Sequence, residues 1–280
     1  MEIILARTAG FCMGVKRAMQ IALQTARLTK GNVYTCGPLI HNPQAVEYLQ
    51  QNGVESLQDW RSINSGTLII RAHGMPANEI GEMKNLGFGI VDATCPHVVT
   101  SQKQIKKYSD GGYRIIIIGD KDHPEILSLQ SFAKPDQYHV ISSQEELVSL
   151  DLAGKTMAIA QTTFNADQFA QIATAIRNIN PEAVICDSIC QATSERQQEI
   201  MKLAARVEAV VVVGGKASAN TRRLAEIAAS ICNRTYHVET AAELEKINFR
   251  NVARVAVTAG ASTPDFITEQ VIEFLKAHSR

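Results

Sequence analysis

Three of the six cysteines, Cys12, Cys95 and Cys190, share a setting, each standing immediately before a helical pattern: Phe11-Cys12-Met13-Gly14-Val15, Thr94-Cys95-Pro96-His97 and Ile189-Cys190-Gln191-Ala192. Two polar loops follow each of them. After Cys12 these loops carry His41 and His73, after Cys95 they carry His123 and Thr162, and after Cys190 they carry Ser218 with Asn220 and then Ser262. The first loop comes 28 to 30 residues after its cysteine and the second 61 to 72. Such an order, three times over, is an internal repeat of about 90 residues. Cutting at the cysteines gives lobes 13–95, 96–190 and 191–280 plus 1–12, and three lobes around a pseudo-threefold axis would bring the cysteines to one point. The plainer alternative is that any α/β chain repeats strand-loop-helix units and that cysteines before helices are core residues.

A helix N-terminus stabilises a thiolate, but three thiolates together repel, so a cation belongs among them. Zinc with three cysteines and an open position meets that need, and so does a [4Fe-4S] cluster with three cysteine ligands and one open iron. The spacing leaves both open. Cys186-Asp187-Ser188-Ile189-Cys190 comes nearest to a compact motif, but Thr193 stands where a further cysteine would be needed, and Cys186 reads as the end of a buried strand. Cys36 and Cys232 have no counterpart in the repeat and read as core residues.

The polar loops suit a diphosphate. Imidazoles of His41, His73 and His123 donate to phosphate oxygens, Ser218, Asn220 and Ser262 add neutral donors, and helix N-termini add backbone N–H groups. Glu125 follows His123-Pro124 in the first turn of a helix, where a carboxyl is either a proton donor or a plain first-turn acid. Thr162 is placed to relay a proton or to cap a helix. Lys16, Arg17, Arg222 and Arg223 read as solvated surface. Gly214-Gly215-Lys216-Ala217-Ser218 is too short for a nucleotide-binding P-loop, and no G-x-G-x-x-G follows a strand.

The elements that must position these groups are legible in the hydrophobic pattern. Near-continuous apolar or β-branched runs cover 32–35, 67–71, 114–118, 156–160, 209–213 and 254–257, as strands buried on both faces of parallel sheets do. Amphipathic stretches, among them 168–179, 193–207, 221–232 and 264–277, alternate with them and predict an α/β fold. The six polar loops lie at the carboxyl ends of these strands. Asn42-Pro43, His123-Pro124 and Thr263-Pro264 mark three of the helix starts that follow.

Composition narrows the function classes. The 280 residues are 45% hydrophobic, enough for one large domain or several small ones with cores of their own. Twenty-eight Lys and Arg balance 28 Asp and Glu, so the global basic field of a nucleic-acid binder is missing and no nucleic-acid partner is expected. No apolar run reaches the ~18 residues of a membrane helix or forms a signal peptide. A cytoplasmic protein with reduced thiols is the expectation, with no membrane partner.

Taken together, Ala9-Gly10-Phe11-Cys12-Met13-Gly14-Val15, Gly37-Pro38-Leu39-Ile40-His41-Asn42, Arg71-Ala72-His73-Gly74, Asp92-Ala93-Thr94-Cys95-Pro96, Gly119-Asp120-Lys121-Asp122-His123-Pro124-Glu125, Gln161-Thr162-Thr163, Cys190-Gln191-Ala192-Thr193, Ser218-Ala219-Asn220 and Thr258-Ala259-Gly260-Ala261-Ser262 resemble the 4-hydroxy-3-methylbut-2-enyl diphosphate reductases, the IspH or LytB family, along the whole chain. The resemblance implies three similar α/β lobes in a trefoil-like arrangement around a central cavity. It also implies one oxygen-sensitive [4Fe-4S] cluster per chain and the last step of the non-mevalonate isoprenoid pathway. In that step the substrate hydroxyl is removed with two electrons and two protons, giving isopentenyl and dimethylallyl diphosphate. By the same resemblance Cys12, Cys95 and Cys190 are the cluster ligands, and His41, His73, His123, Ser218, Asn220 and Ser262 form the diphosphate cradle. Glu125 is then the proton donor, with Thr162 beside the substrate hydroxyl, and ferredoxin or flavodoxin delivers the electrons. Family members often carry a hydroxyl residue where Ala219 stands, so one side-chain donor is missing here. No RNA-binding module is appended at the C-terminus, and a monomer or weak dimer is expected. The alternatives are a zinc hydrolase of a phosphorylated metabolite with a three-cysteine site, and a non-catalytic sensor of isoprenoid diphosphates.

Overall fold

The computed structural model describes residues 1–278; the last two residues of the lobe read as 191–280 plus 1–12 lie outside the described residues. Among the described residues there are three four-stranded sheets, all parallel. One is made of β1 (Glu2–Leu5), β10 (Ala209–Val213), β11 (Thr235–Val238) and β12 (Arg254–Ala259), and another of β2 (Val33–Cys36), β3 (Val54–Leu57), β4 (Thr67–Ile70) and β5 (Gly89–Asp92). The remaining sheet has β6 (Arg114–Ile118), β7 (Tyr138–Ile141), β8 (Thr156–Ala160) and β9 (Val184–Cys186). The helices are α1 (Met13–Leu28), α2 (Pro43–Gln51), α3 (Ala77–Asn85), α4 (Pro96–Asp110), α5 (Pro124–Gln130), α6 (Ala166–Ile179), α7 (Gln191–Ala204), α8 (Ala219–Ala229) and α9 (Asp265–Ala277). None of the described helices is long and apolar enough to cross a membrane.

The spatial orders are β3-β2-β4-β5, β7-β6-β8-β9 and β11-β10-β12-β1. Numbered within each sheet, all three read 2-1-3-4, with the N-terminal β1 taking the fourth place in the last. Strands one and three lie side by side at the centre of each sheet, and the chain leaves them in opposite directions, which makes the gap between their carboxyl ends a switch point where ligands bind in open α/β sheets. The loops after β2 and β4, after β6 and β8, and after β10 and β12 carry the histidines, threonine and serines read from the sequence, while Asn220 lies in the first turn of α8. Each cysteine of the repeat follows a fourth strand: Cys12 follows β1, Cys95 follows β5 and Cys190 follows β9.

Central strands are apolar throughout because both faces are covered. In β10, Val211 and Val213 pack with Val271 and Leu275 of α9, while Val210 and Val212 pack with Ile200 of α7 and Leu224 of α8. In β6, Ile116 and Ile118 meet Phe169 and Ile172 of α6, while Ile115 and Ile117 meet Ile105 of α4 and Ile126 of α5. The sheet of β2 to β5 buries Tyr34, Cys36, Leu68 and Ile70 against Trp60, Met83 and Phe88. Cys36 and Cys232 are core residues, as the sequence suggested. Cys186 does end a strand, but a half-buried one.

The chain forms two compact units, one of Met1–Lys16, Ile40–Gln51 and the stretch from Gln191 onward, the other of Arg17–Leu39 and Asn52–Cys190. The first holds the sheet of β1, β10, β11 and β12, and the second holds the other two sheets.

Candidate active site

In the second unit a hydrogen bond recurs that the repeat leads one to look for. The backbone N–H of Cys95 donates to the carbonyl of Ala72 at 2.9 Å, and that of Cys190 to the carbonyl of Thr162 at 3.0 Å. Both acceptors lie two residues beyond a third strand. The first unit repeats the bond, Cys12 N–H to Ala261 carbonyl at 3.1 Å, with Ala261 two residues past β12. Each cysteine is thereby tied to the loop that carries His73, Thr162 or Ser262. All three thiols are half-buried and none of the six cysteines is in a disulfide. Cys95 is the N-cap of α4 and its side chain caps nothing, while the Cys12 Sγ accepts from the Val15 N–H at 3.5 Å at the start of α1. Three reduced thiols at helix starts, none spent on a disulfide, suit a soft metal centre.

The carboxyl of Glu125 is 1% exposed. His123 caps α5, its Nδ1 accepting the Glu125 N–H at 3.1 Å, and Pro124 occupies the first helical position. A neutral His123 therefore carries its ring proton on Nε2. The His73 ring stands edge-on to that of His123, with centroids 5.4 Å apart. The Glu125 side chain turns to the loop after β8, where its oxygens accept the Thr162 N–H at 2.6 Å and pair with the Thr162 hydroxyl at 2.7 Å. Burial pushes the carboxyl up to about 7, against the two Thr162 hydrogen bonds that pull it down. When Glu125 holds its proton, its O–H donates to the Thr162 Oγ1, and that hydroxyl is free to turn its own proton outward.

Supports for these loops went unread in the sequence. Gln161 accepts the Asp120 N–H at 3.0 Å and donates to the Thr163 hydroxyl at 3.0 Å, joining the loops after β6 and β8. The Ser128 hydroxyl donates to the Met75 carbonyl at 3.1 Å and accepts from Gln102 at 2.9 Å. Both pack under Gly74 (φ +78°), where a Cβ would lie 2.7 Å from each, so the turn after His73 admits no side chain. Arg17, read as solvated, donates to the Thr94 carbonyl at 3.0 Å, next to Cys95.

In the first unit, Asn42 caps α2 by accepting the Ala45 N–H at 2.9 Å, and Ser218 caps α8 by accepting the Thr221 N–H at 3.4 Å. The Ser262 hydroxyl lies 3.4 Å from both the His41 carbonyl and the Ser218 Oγ. A Cβ on Gly215 would run into that His41 carbonyl, so the backbone of the two loops is in contact. Asn220, 4% exposed, has no hydrogen-bond partner among the described residues for either its Oδ1 or its Nδ2. Leaving such a group unpaired costs about 1–3 kcal/mol, and a polar ligand in this loop cluster would recover it. Arg222 donates to the Ala217 carbonyl at 3.1 Å and Arg223 to Glu226 at 2.7 Å, so neither is merely solvated.

Fold and side chains define a class: an α/β protein of three like parallel sheets, with cysteines at three equivalent helix starts and polar loops at the sheets' switch points. Residues 3–276 match the family model described as LytB protein. The chain is 44% identical over 272 residues to the 4-hydroxy-3-methylbut-2-enyl diphosphate reductase of Pelobacter propionicus, covering 97% of this chain and 96% of that protein. Among solved structures it resembles the E-1-hydroxy-2-methyl-but-2-enyl-4-diphosphate reductase of Plasmodium falciparum, with a TM-score of 0.94 and 27% identity over 98% of this chain and 88% of that one. Another is (E)-4-hydroxy-3-methyl-but-2-enyl diphosphate reductase, described as the terminal enzyme of the non-mevalonate pathway, with a TM-score of 0.72 and 38% identity over 99% of this chain and 100% of that one. The chain belongs to the LytB family of 4-hydroxy-3-methylbut-2-enyl diphosphate reductases.

Proposed function

We propose that this chain reduces (E)-4-hydroxy-3-methylbut-2-enyl diphosphate to isopentenyl and dimethylallyl diphosphate, using two electrons and two protons and releasing water. The observation that carries the mechanism is the buried Glu125–Thr162 pair, a carboxylic acid that burial raises to about 7.

Breaking the allylic C–O bond expels hydroxide unless a proton meets it. Glu125 holds that proton, and Thr162 hands it on through its hydroxyl, with the acid restored from solvent between turnovers. His41, His73, His123, Ser218, Asn220 and Ser262 bind the diphosphate, and the partnerless amide of Asn220 fits such an acceptor-rich ligand. Of these groups His123, Ser218, Asn220 and Ser262 are buried, and His41 and His73 are half-buried.

Cys12, Cys95 and Cys190 hold the [4Fe-4S] cluster expected of the family, and three half-buried reduced thiols at helix starts fit three such bonds. When bound, the cluster supplies the electrons and a Lewis-acidic iron with no protein ligand. The lobes run 13–95, 96–190 and 191–280 plus 1–12, arranged around the cluster, and a ferredoxin or flavodoxin of the cytoplasm is the electron donor. The test is Glu125→Gln in holoenzyme with excess reductant: substrate affinity stays within about threefold while turnover falls by about 10²-fold or more. Unchanged turnover removes Glu125 from the reaction.

A further inference from the structure

The three cysteines are not equally easy to place. Two residues separate the end of β5 from Cys95 and three separate β9 from Cys190, whereas six, Ala6 to Phe11, separate β1 from Cys12. A longer connection has more conformations to lose and leaves its last residue less well fixed. The shorter connections have fewer residues to fix: in one the Asp92 carboxylate accepts the Thr94 N–H at 2.8 Å and Arg17 donates to the Thr94 carbonyl at 3.0 Å, and in the other Ser188 bonds both the N–H and the carbonyl of Ala160 on β8.

The long connection is held from outside. Glu199 of α7 accepts the Arg7 N–H at 2.8 Å, the Thr8 N–H at 2.9 Å and the Thr8 hydroxyl at 2.6 Å. One turn earlier on α7, Arg196, itself 5% exposed, donates to the Gly10 carbonyl at 2.8 Å and to the Ala192 carbonyl of its own helix at 2.9 Å. Burial works against the Glu199 charge, but the three hydrogen bonds outweigh it and hold the carboxyl below its ordinary range. Gly10 (φ +91°) lies against the Asp265 carboxylate, where a Cβ would collide. Two residues further on, the Cys12 N–H reaches the Ala261 carbonyl.

We propose that Arg196 and Glu199 are positioning residues for Cys12, a two-residue clamp on one face of α7 that grips the Arg7–Gly10 segment and sets where the Cys12 thiolate stands. The inference rests on the reading of Cys12 as a cluster ligand. Four charge-assisted hydrogen bonds to one short segment are stronger and shorter than neutral ones, and they order the ligand's approach before any metal arrives. α7 begins at the residue after Cys190, so the same helix that follows one ligand steadies the chain leading to another. Groups that orient a ligand from behind in this way alter metal affinity about 10–100-fold when removed.

The experiment compares anaerobically purified wild type with Arg196→Met, Glu199→Ala and Glu199→Gln. It follows iron release to a ferrous chelator, the EPR signal after mild oxidation, and the urea midpoint. Arg196→Met and Glu199→Ala are expected to release iron about tenfold faster and to accumulate a three-iron EPR signal. Glu199→Gln, which keeps one acceptor for the Arg7 and Thr8 donors, returns to within about threefold of wild type. Release at the wild-type rate in both Arg196→Met and Glu199→Ala overturns the clamp. So does an acceleration no larger than the unfolded fraction read from the urea curves. A wild-type protein that carries no cluster overturns the functional reading instead.

Discussion

Glu125→Gln replaces a buried acid with a neutral isostere, and its effect on stability can be worked out before any activity is measured. The carboxyl rises from an ordinary 4.5 to about 7 on folding, because burial disfavours the anion more than the Thr162 bonds favour it. Below the unfolded value both states are protonated and the native state keeps its full stability. Between 4.5 and about 7 the native protein holds a proton that the unfolded chain has released, so stability falls as pH rises and levels off above the folded value. At about 1.4 kcal/mol per unit the whole loss is about 3 kcal/mol. Glutamine does not titrate. Its Oε1 still accepts the Thr162 N–H, and its amide donates to the Thr162 hydroxyl, so the two proteins differ little at low pH. Urea unfolding of anaerobically purified protein at about pH 5 and about pH 8.5, followed by circular dichroism, should show the variant gaining about 2–3 kcal/mol on wild type over that interval. Parallel pH dependences would refute the reasoning, since they would mean that Glu125 ionises in the folded protein as it does in the unfolded one.

Thr162→Val removes one of the two bonds that lower the Glu125 carboxyl. The alkaline limb of the pH–rate profile should move to higher pH while kcat falls, and a limb that stays in place would separate Thr162 from the titration. Asn220→Ala takes away an amide with no partner among the described residues; the urea midpoint should hold or rise while KM for substrate increases about tenfold or more. An unchanged KM would remove Asn220 from the cradle. Serine at Cys12, Cys95 or Cys190 should lower iron content and bleach the visible spectrum, whereas Cys36→Ser should leave both intact. Cys36 is buried in the core of its sheet against Trp60, Met83 and Phe88, and that burial pushes its thiol up to about 12.

The central strands were legible because they are covered on both sides. Of the runs read from the sequence, 114–118, 156–160 and 209–213 coincide with β6, β8 and β10 residue for residue. The second and fourth strands were not read as strands of their own, apart from the end of β9 at Cys186. Strand β5 is exposed at both ends and β3 at its two middle residues, so the hydrophobic pattern breaks up. Helices α6, α7 and α8 begin two residues before the amphipathic stretches suggested, at Ala166, Gln191 and Ala219, whereas α9 begins one residue later, at Asp265. Histidine and cysteine positions were readable since these residue types are conspicuous at strand ends and recur with the repeat. Glu199 and Arg196 were not: their partners lie 186 to 192 residues away, and charged residues on an amphipathic helix look like solvent-facing ones until the chain is folded. The environment of Glu125 was equally hidden, since position alone left it as either a donor or a first-turn acid, and only the packing of α5 against the loop after β8 buries the carboxyl and raises it to about 7.

The most direct test of the account is iron and sulfide analysis of anaerobically purified protein, combined with Mössbauer spectra with and without (E)-4-hydroxy-3-methylbut-2-enyl diphosphate. The account expects about four irons and four sulfides per chain, with one iron distinct from the other three and shifted when substrate is added. A colourless zinc protein, or four irons that ignore the substrate, would contradict it.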